Sequence, residues 1–313
     1  MQMAETKLYT NLTGTAGNRI VKNLLVLMCA FFVCILIAAA CAQWLAGYFE
    51  PASRSQYLAQ SVAQNIIGFC GAAVFSAWFI SRRPARFLAL THKVSWRPFA
   101  GVLTVYAIGL PFLNQTIYYN QQMELPAIFS GIEEYMKTME AINGKITEII
   151  LSTNTVGGLI SGILIVGILT GFSEEVLFRG SLQRILTYKK GFGVWAIWIA
   201  AFIFSAVHLQ FYGFIPRLLL GAFFGYILYS TGSLWPGVFA HALNNSIVIV
   251  SSWIDGRNGT SSVNADMWGV AETGFPTYAA ISLIALALFF RYAYPYFFKN
   301  KESNNIETPA DAS

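Results

Sequence analysis

Between positions 151 and 250 the only acidic residues are the adjacent Glu174 and Glu175, and two of the chain's three histidines, His208 and His241, fall in the same window. Carboxylates and imidazoles take up and release protons, so such a set can activate water or relay a proton. The setting sharpens the point. Val156 to Thr170 carries no charged side chain, and "GFSEEVLFRG" follows it directly. An ionisable group inside a bilayer costs several kcal/mol, so it normally faces the interior of a helix bundle and has a partner or a task. Any one of these residues can serve as a helix-to-helix hydrogen bond; the set together points to a site.

Residues four apart share one face of a helix. Glu175 and Arg179 form such a pair in the favourable acid-before-base order, which leaves Glu174 as the carboxylate without a built-in partner. His241 and Asn245 in "HALNN" are likewise four apart. Ser233 and Pro236 read as the N-cap and early proline of the helix that carries them. Depth follows from the turns. Gly191 in "KKGFG" is 17 residues from both Glu174 and His208, so an antiparallel hairpin about it levels the two. His241 lies about 7.5 Å beyond Pro236 along its helix. For all three to meet, the Glu174 helix must protrude past the membrane face toward Arg184 and Lys189, and the His208 helix must end part-way across.

The elements that carry these residues are apolar. The 313 residues are 56% hydrophobic and 11% charged, with a mean hydropathy of +0.54, against roughly a quarter charged in soluble domains. Spanning a bilayer takes ~20 mostly apolar residues. Eight runs qualify: Leu24–Leu45, Val62–Ile80, Phe99–Ile117, Val156–Phe178, Phe192–Leu209, Phe214–Tyr229, Leu234–Trp253 and Tyr278–Phe298. The fifth and sixth are short, so seven or eight spans both fit. The expected class is all-α, a polytopic transmembrane bundle forming one integral membrane domain over 1–313, with a polar, disordered tail at 302–313. Arg19, Lys22 and "AAAC" at 38–41 loosely resemble a signal peptide, but the apolar run continues and seven more follow.

The net charge of +5 has no aromatic-laced basic patch behind it, which argues against nucleic acid. Its placement instead fits membrane orientation: with eight spans and a cytoplasmic N-terminus, fifteen of the 20 Lys and Arg fall on inner segments, the positive-inside pattern. The compact chain, with no long soluble domain, suits a bacterial inner membrane. Two segments read as lying outside the bilayer, 81–98 and 118–154; the second has helical spacing and is either a surface helix or a lid. The four cysteines lie in apolar runs as small core residues, and His92 sits in a basic loop. "GGLISG" at 157–162 and "GAFFG" at 221–225 have spacing suited to close helix packing.

"EEVLFR", "FSAVH" and "HALNN" resemble, in order, the three motifs of the CAAX-protease and bacteriocin-processing (CPBP, or Abi) family of intramembrane proteases. The likeness covers a core of about 151–252. It implies an intramembrane endopeptidase in which Glu174, helped by His208, activates water, with Glu175 and Arg179 completing the first motif. His241 and Asn245 would bind the oxyanion or a metal. Two imidazoles, a carboxylate and an amide serve equally as a site for a divalent ion such as Zn2+, with His208 and His241 as ligands beside Glu174 and Asn245, or as a metal-free base with an oxyanion hole. The implied partners are the lipid bilayer and a peptide or membrane-protein substrate, prenylated or a leader peptide. No HExxH, no Asp in any span and no GxSG is present, which sets aside other intramembrane protease chemistries. A transporter or proton relay would spread ionisable residues over two halves, and a catalytically silent immunity or scaffold protein would lack a motif residue; neither holds here.

Overall fold

The computed structural model describes residues 2–188, 191–258 and 269–299, with side chains described from residue 17 onward except at 258. The expected tail at 302–313 and the Lys189–Lys190 pair lie outside the described residues. Within them the fold is helical, with no strand. Seven helices are long and apolar enough to cross a membrane, and an eighth is shorter. This bears out the polytopic bundle of about eight spans.

Helix α1 runs Gln2–Ala46 and α2 Arg54–Ile80; a four-residue helix, α3, covers Pro84–Phe87. Helix α4 covers Arg97–Gln121 and α5 Ser130–Leu151. Next come α6 at Val156–Leu186, α7 at Gly193–Ala206, α8 at Phe214–Thr231, α9 at Trp235–Asn258 and α10 at Thr277–Phe298. The lengths of α6 and α7 carry the levelling argument. At 31 residues, α6 is about 46 Å long at 1.5 Å per residue, well over a bilayer core of ~30 Å. At 14 residues, α7 is about 21 Å and stops short. The hairpin between them turns at Gly191, whose φ of +79 suits a residue without a Cβ.

Two apolar clusters form the core. One joins α1, α2, the 87–89 segment and α6 through Leu27, Ala73, Phe87, Phe178 and Phe204 of α7. The other joins α4, α8, α9 and α10 through Val102, Phe224, Ala240 and Phe289. The polar residues of the window lie at the seam between them.

Part of the 81–98 segment packs into the protein: Phe87, Leu88 and Ala89 are buried, and the turn after α3 caps α9 through Leu234 N–H to the Ala89 carbonyl at 3.1 Å and Trp235 Nε1 to the Leu90 carbonyl at 2.9 Å. Two expectations are corrected. Ser233 is not the N-cap, because α9 starts at Trp235 and Leu234 accepts the first helical bond, from Val238 N–H; the Ser233 hydroxyl donates to the His92 carbonyl at 2.9 Å. Of the "GGLISG" glycines only Gly162 meets a neighbouring helix, at Ile249 and Arg54; Gly157 faces open space and Gly158 its own preceding turn. Helix α5 buries none of its residues. Its C-terminal end is fastened by Arg54, which donates to the Ile150 and Gly158 carbonyls, both at 2.7 Å, and to Ser161 Oγ at 3.0 Å.

Candidate active site

Helix α6 is not regular around the acidic pair. A single α-helical stretch, Thr170–Glu175, lies between two segments with i→i+5 hydrogen bonding, Ile163–Leu169 and Val176–Gln183. Such widened turns shift side chains off the regular 3.6-residue face and recur at functional sites. The turn is pinned from α2, where Ser173 Oγ donates to Asn65 Oδ1 at 2.5 Å and Asn65 Nδ2 donates to Thr170 Oγ1 at 3.0 Å.

The two carboxylates occupy different surroundings. Glu175 and Arg179 are both fully buried, and Arg179 Nη1 donates to Glu175 Oε1 at 2.6 Å. The second guanidinium nitrogen donates to the Gly221 carbonyl at 2.9 Å. Phe204 and Phe224 flank the guanidinium, with its carbon 4.4 and 5.4 Å from their ring centres. A planar, weakly hydrated cation suits such a sandwich, where an ammonium would not. Glu174, 7% exposed, faces the imidazoles instead.

His241, on α9, donates from Nδ1 to Glu175 Oε1 at 3.0 Å and stacks on Phe224 with ring centres 5.0 Å apart. Its Nε2 then lies 3.6 Å from Glu174 Oε2. His208, just past the end of α7, has Nδ1 2.7 Å from the Phe204 carbonyl and Nε2 4.0 Å from Glu174 Oε1. A carboxylate and a carbonyl can only accept, so both imidazoles carry a hydrogen on Nδ1 and turn Nε2 toward Glu174. Gaps of 3.6 and 4.0 Å exceed a direct hydrogen bond and match the reach of a bridging water. The arrangement can therefore hold a water between the Glu174 carboxylate and the two imidazoles.

Five of the six residues expected from the sequence converge here: Glu174, Glu175, Arg179, His208 and His241. Asn245 shares a face of α9 with His241, but its Nδ2 donates to the Val166 carbonyl at 3.1 Å and its Oδ1 accepts from Asn244 at 3.4 Å. It ties α9 to the first widened segment of α6. Among the described residues no group of three His, Cys, Asp or Glu side chains is arranged to hold a metal ion, and the amide expected as a fourth donor is engaged elsewhere.

Several contributors were not foreseen. Gly171 lets α9 approach, since a Cβ there would lie 3.0 and 3.2 Å from the Ala242 backbone. The "GAFFG" glycines do more than pack: the Gly221 carbonyl takes Arg179 and the Gly225 carbonyl takes Gln183 Nε2 at 3.0 Å. Tyr106 of α4 donates to the Ala240 carbonyl at 3.0 Å beside His241. The one usable signal was polarity in apolar runs, since Asn65 and Gln183 are amides buried in spanning helices.

Residues 156–247 match the family model described as type II CAAX prenyl endopeptidase, Rce1-like, a span that contains all six residues. No curated protein and no solved structure matches the chain. The likeness drawn from the three motifs is thus borne out over that span, where the segment holding the carboxylate–imidazole cluster is similar to the CAAX prenyl endopeptidase family.

Proposed function

We propose that the protein is an intramembrane endopeptidase in which Glu174 activates the attacking water. The observation that carries this reading is the convergence of both Nε2 atoms on the two oxygens of Glu174, at 3.6 and 4.0 Å, while Glu175 is already committed to Arg179 and His241. Water held at this point gives one proton to Glu174 as its oxygen attacks the substrate carbonyl carbon. The tetrahedral intermediate then expels the amine, and the same proton, passed through His208, goes to the leaving nitrogen. His241, oriented by Glu175, fixes the water from the second carboxylate oxygen. Arg179 acts through Glu175 as a positioning residue. Asn245 can reach an oxyanion only by releasing Val166.

The substrate in this reading is a peptide or membrane protein presented within the bilayer, prenylated or a leader peptide. The test is a proteolysis assay on a peptide library with detergent-purified protein, with and without chelator and beside elemental analysis. Cleavage that survives chelation, with no stoichiometric metal, is expected. Absence of cleavage on every class would contradict the endopeptidase reading, and chelator-sensitive cleavage would contradict the metal-free step.

A further inference from the structure

Helices α6 and α8 run in a fixed register. Gln183 donates to the Gly225 carbonyl and Arg179 to the Gly221 carbonyl, two pairs four residues apart on each helix with the same offset of 42. One more helical turn in the same direction leads from Arg179 to Glu175 and from Gly221 to residue 217. That residue is Arg217, a second arginine at the level of the acidic pair.

Arg217 is held by an uncharged partner. Its Nη2 donates to Gln210 Oε1 at 2.9 Å and its Nη1 to the Gln210 carbonyl at 3.3 Å. Gln210 lies two residues past His208, and the residue between them, Leu209, has φ +54. A side chain with a Cβ pays roughly 1–2 kcal/mol in that left-handed region, and such strain persists where the surroundings over-determine it, often at ligand sites. The strained turn thus fixes one imidazole of the site and one guanidinium together. The charges of Glu174 and of Glu140 on α5 both act on Arg217, and its own charge is felt at His208.

We propose that Arg217 binds a substrate carboxylate beside the scissile bond, which makes the enzyme selective for peptides carrying an anion there. The proposal rests on the endopeptidase reading of the Glu174 site. Gln210 takes two of the five guanidinium N–H groups, and the planar fork of the remainder suits a bidentate carboxylate. Glu140 supplies a counter-charge from α5, and one of its carboxylate oxygens is buried without a hydrogen-bond partner. The carboxylate can belong to the substrate's C-terminus or to an Asp or Glu side chain.

The experiment measures binding, so it does not depend on turnover. Protein carrying Glu174→Gln, with Arg217 intact or changed to Gln or Lys, is titrated in detergent with three labelled peptides of one sequence: C-terminal acid, C-terminal amide, and amide with one internal Asn replaced by Asp. With Arg217 intact, at least one carboxylate peptide should bind about 10-fold tighter than the plain amide, and which one does so identifies the source. Arg217→Gln should abolish the preference. Arg217→Lys keeps the charge without the fork and should retain part of it, which covers the case in which the glutamine variant does not fold. Equal binding of all three peptides to protein with intact Arg217 would overturn the proposal. So would a preference that survives Arg217→Gln, or an equal weakening for every peptide. Selective binding by a protein that, with Glu174 intact, cleaves nothing would sink the endopeptidase reading and leave the Arg217 site standing.

Discussion

Glu174 and Glu175 project about 100° apart around α6, and their contacts follow from that angle. Glu175 turns into the seam between the apolar clusters, where Arg179 and His241 satisfy Oε1; Glu174 turns to the two Nε2 atoms. Removing one member of a buried ion pair leaves the other charge uncompensated and costs about 3–5 kcal/mol. Glu175→Gln and Arg179→Gln are therefore each expected to lower stability by that order, read as a thermal midpoint shift in detergent, with turnover lost as well. A Glu175→Gln protein that keeps its melting temperature but not its turnover would mean that the roles of the two glutamates are reversed. The acid–base pair was legible because four-residue spacing reports contacts within one helix. The Phe204–Phe224 sandwich and the Gly221 carbonyl were not, because partners on other helices leave no period in the sequence.

At the scale of elements, the site exists because α9 sits close against α6. Gly167 and Gly171 are one turn apart on the facing side of α6, and a Cβ at 171 would press on the Ala242 backbone, next to His241. Backbone cannot yield as a side chain end can. Gly171→Ala should push α9 outward, widen the 3.6 Å gap between His241 and Glu174, and lower both turnover and the melting temperature. Gly144→Ala is the control: it lies inside α5 with nothing within 4 Å of its added Cβ, and replacing an exposed helical glycine should stabilise by about 0.5–1 kcal/mol. A Gly171→Ala protein as active and as stable as wild type would contradict the close-approach account. The hairpin about Gly191 was legible from turn position and equal arm lengths. The widened turns of α6 and the direction taken by Asn245 were not, since i→i+5 bonding shifts side chains off the spacing that the sequence displays.

For the whole molecule, hydropathy marked every spanning helix, including the short α7, because burial in lipid demands long apolar runs. It did not report packing at 81–98, where Phe87 and Leu88 fill the core from a segment outside the spans. We propose that both termini and this loop face the cytoplasm, on the strength of the charge bias of the connecting segments. Reporter fusions after Arg97 and after Lys145 should then give opposite signals. Matching signals would contradict that orientation.

The most direct test of the central claim is the turnover of Glu174→Gln beside its thermal stability, measured on a peptide that the wild-type protein cleaves. The amide keeps the size of the side chain and removes the proton acceptor, a change worth about 10²–10⁴-fold where a general base is lost. The expected result is a fall of at least that order with the melting temperature unchanged, because Glu174 takes no part in the Arg179 pair. A Glu174→Gln protein that cleaves at near the wild-type rate would contradict the claim.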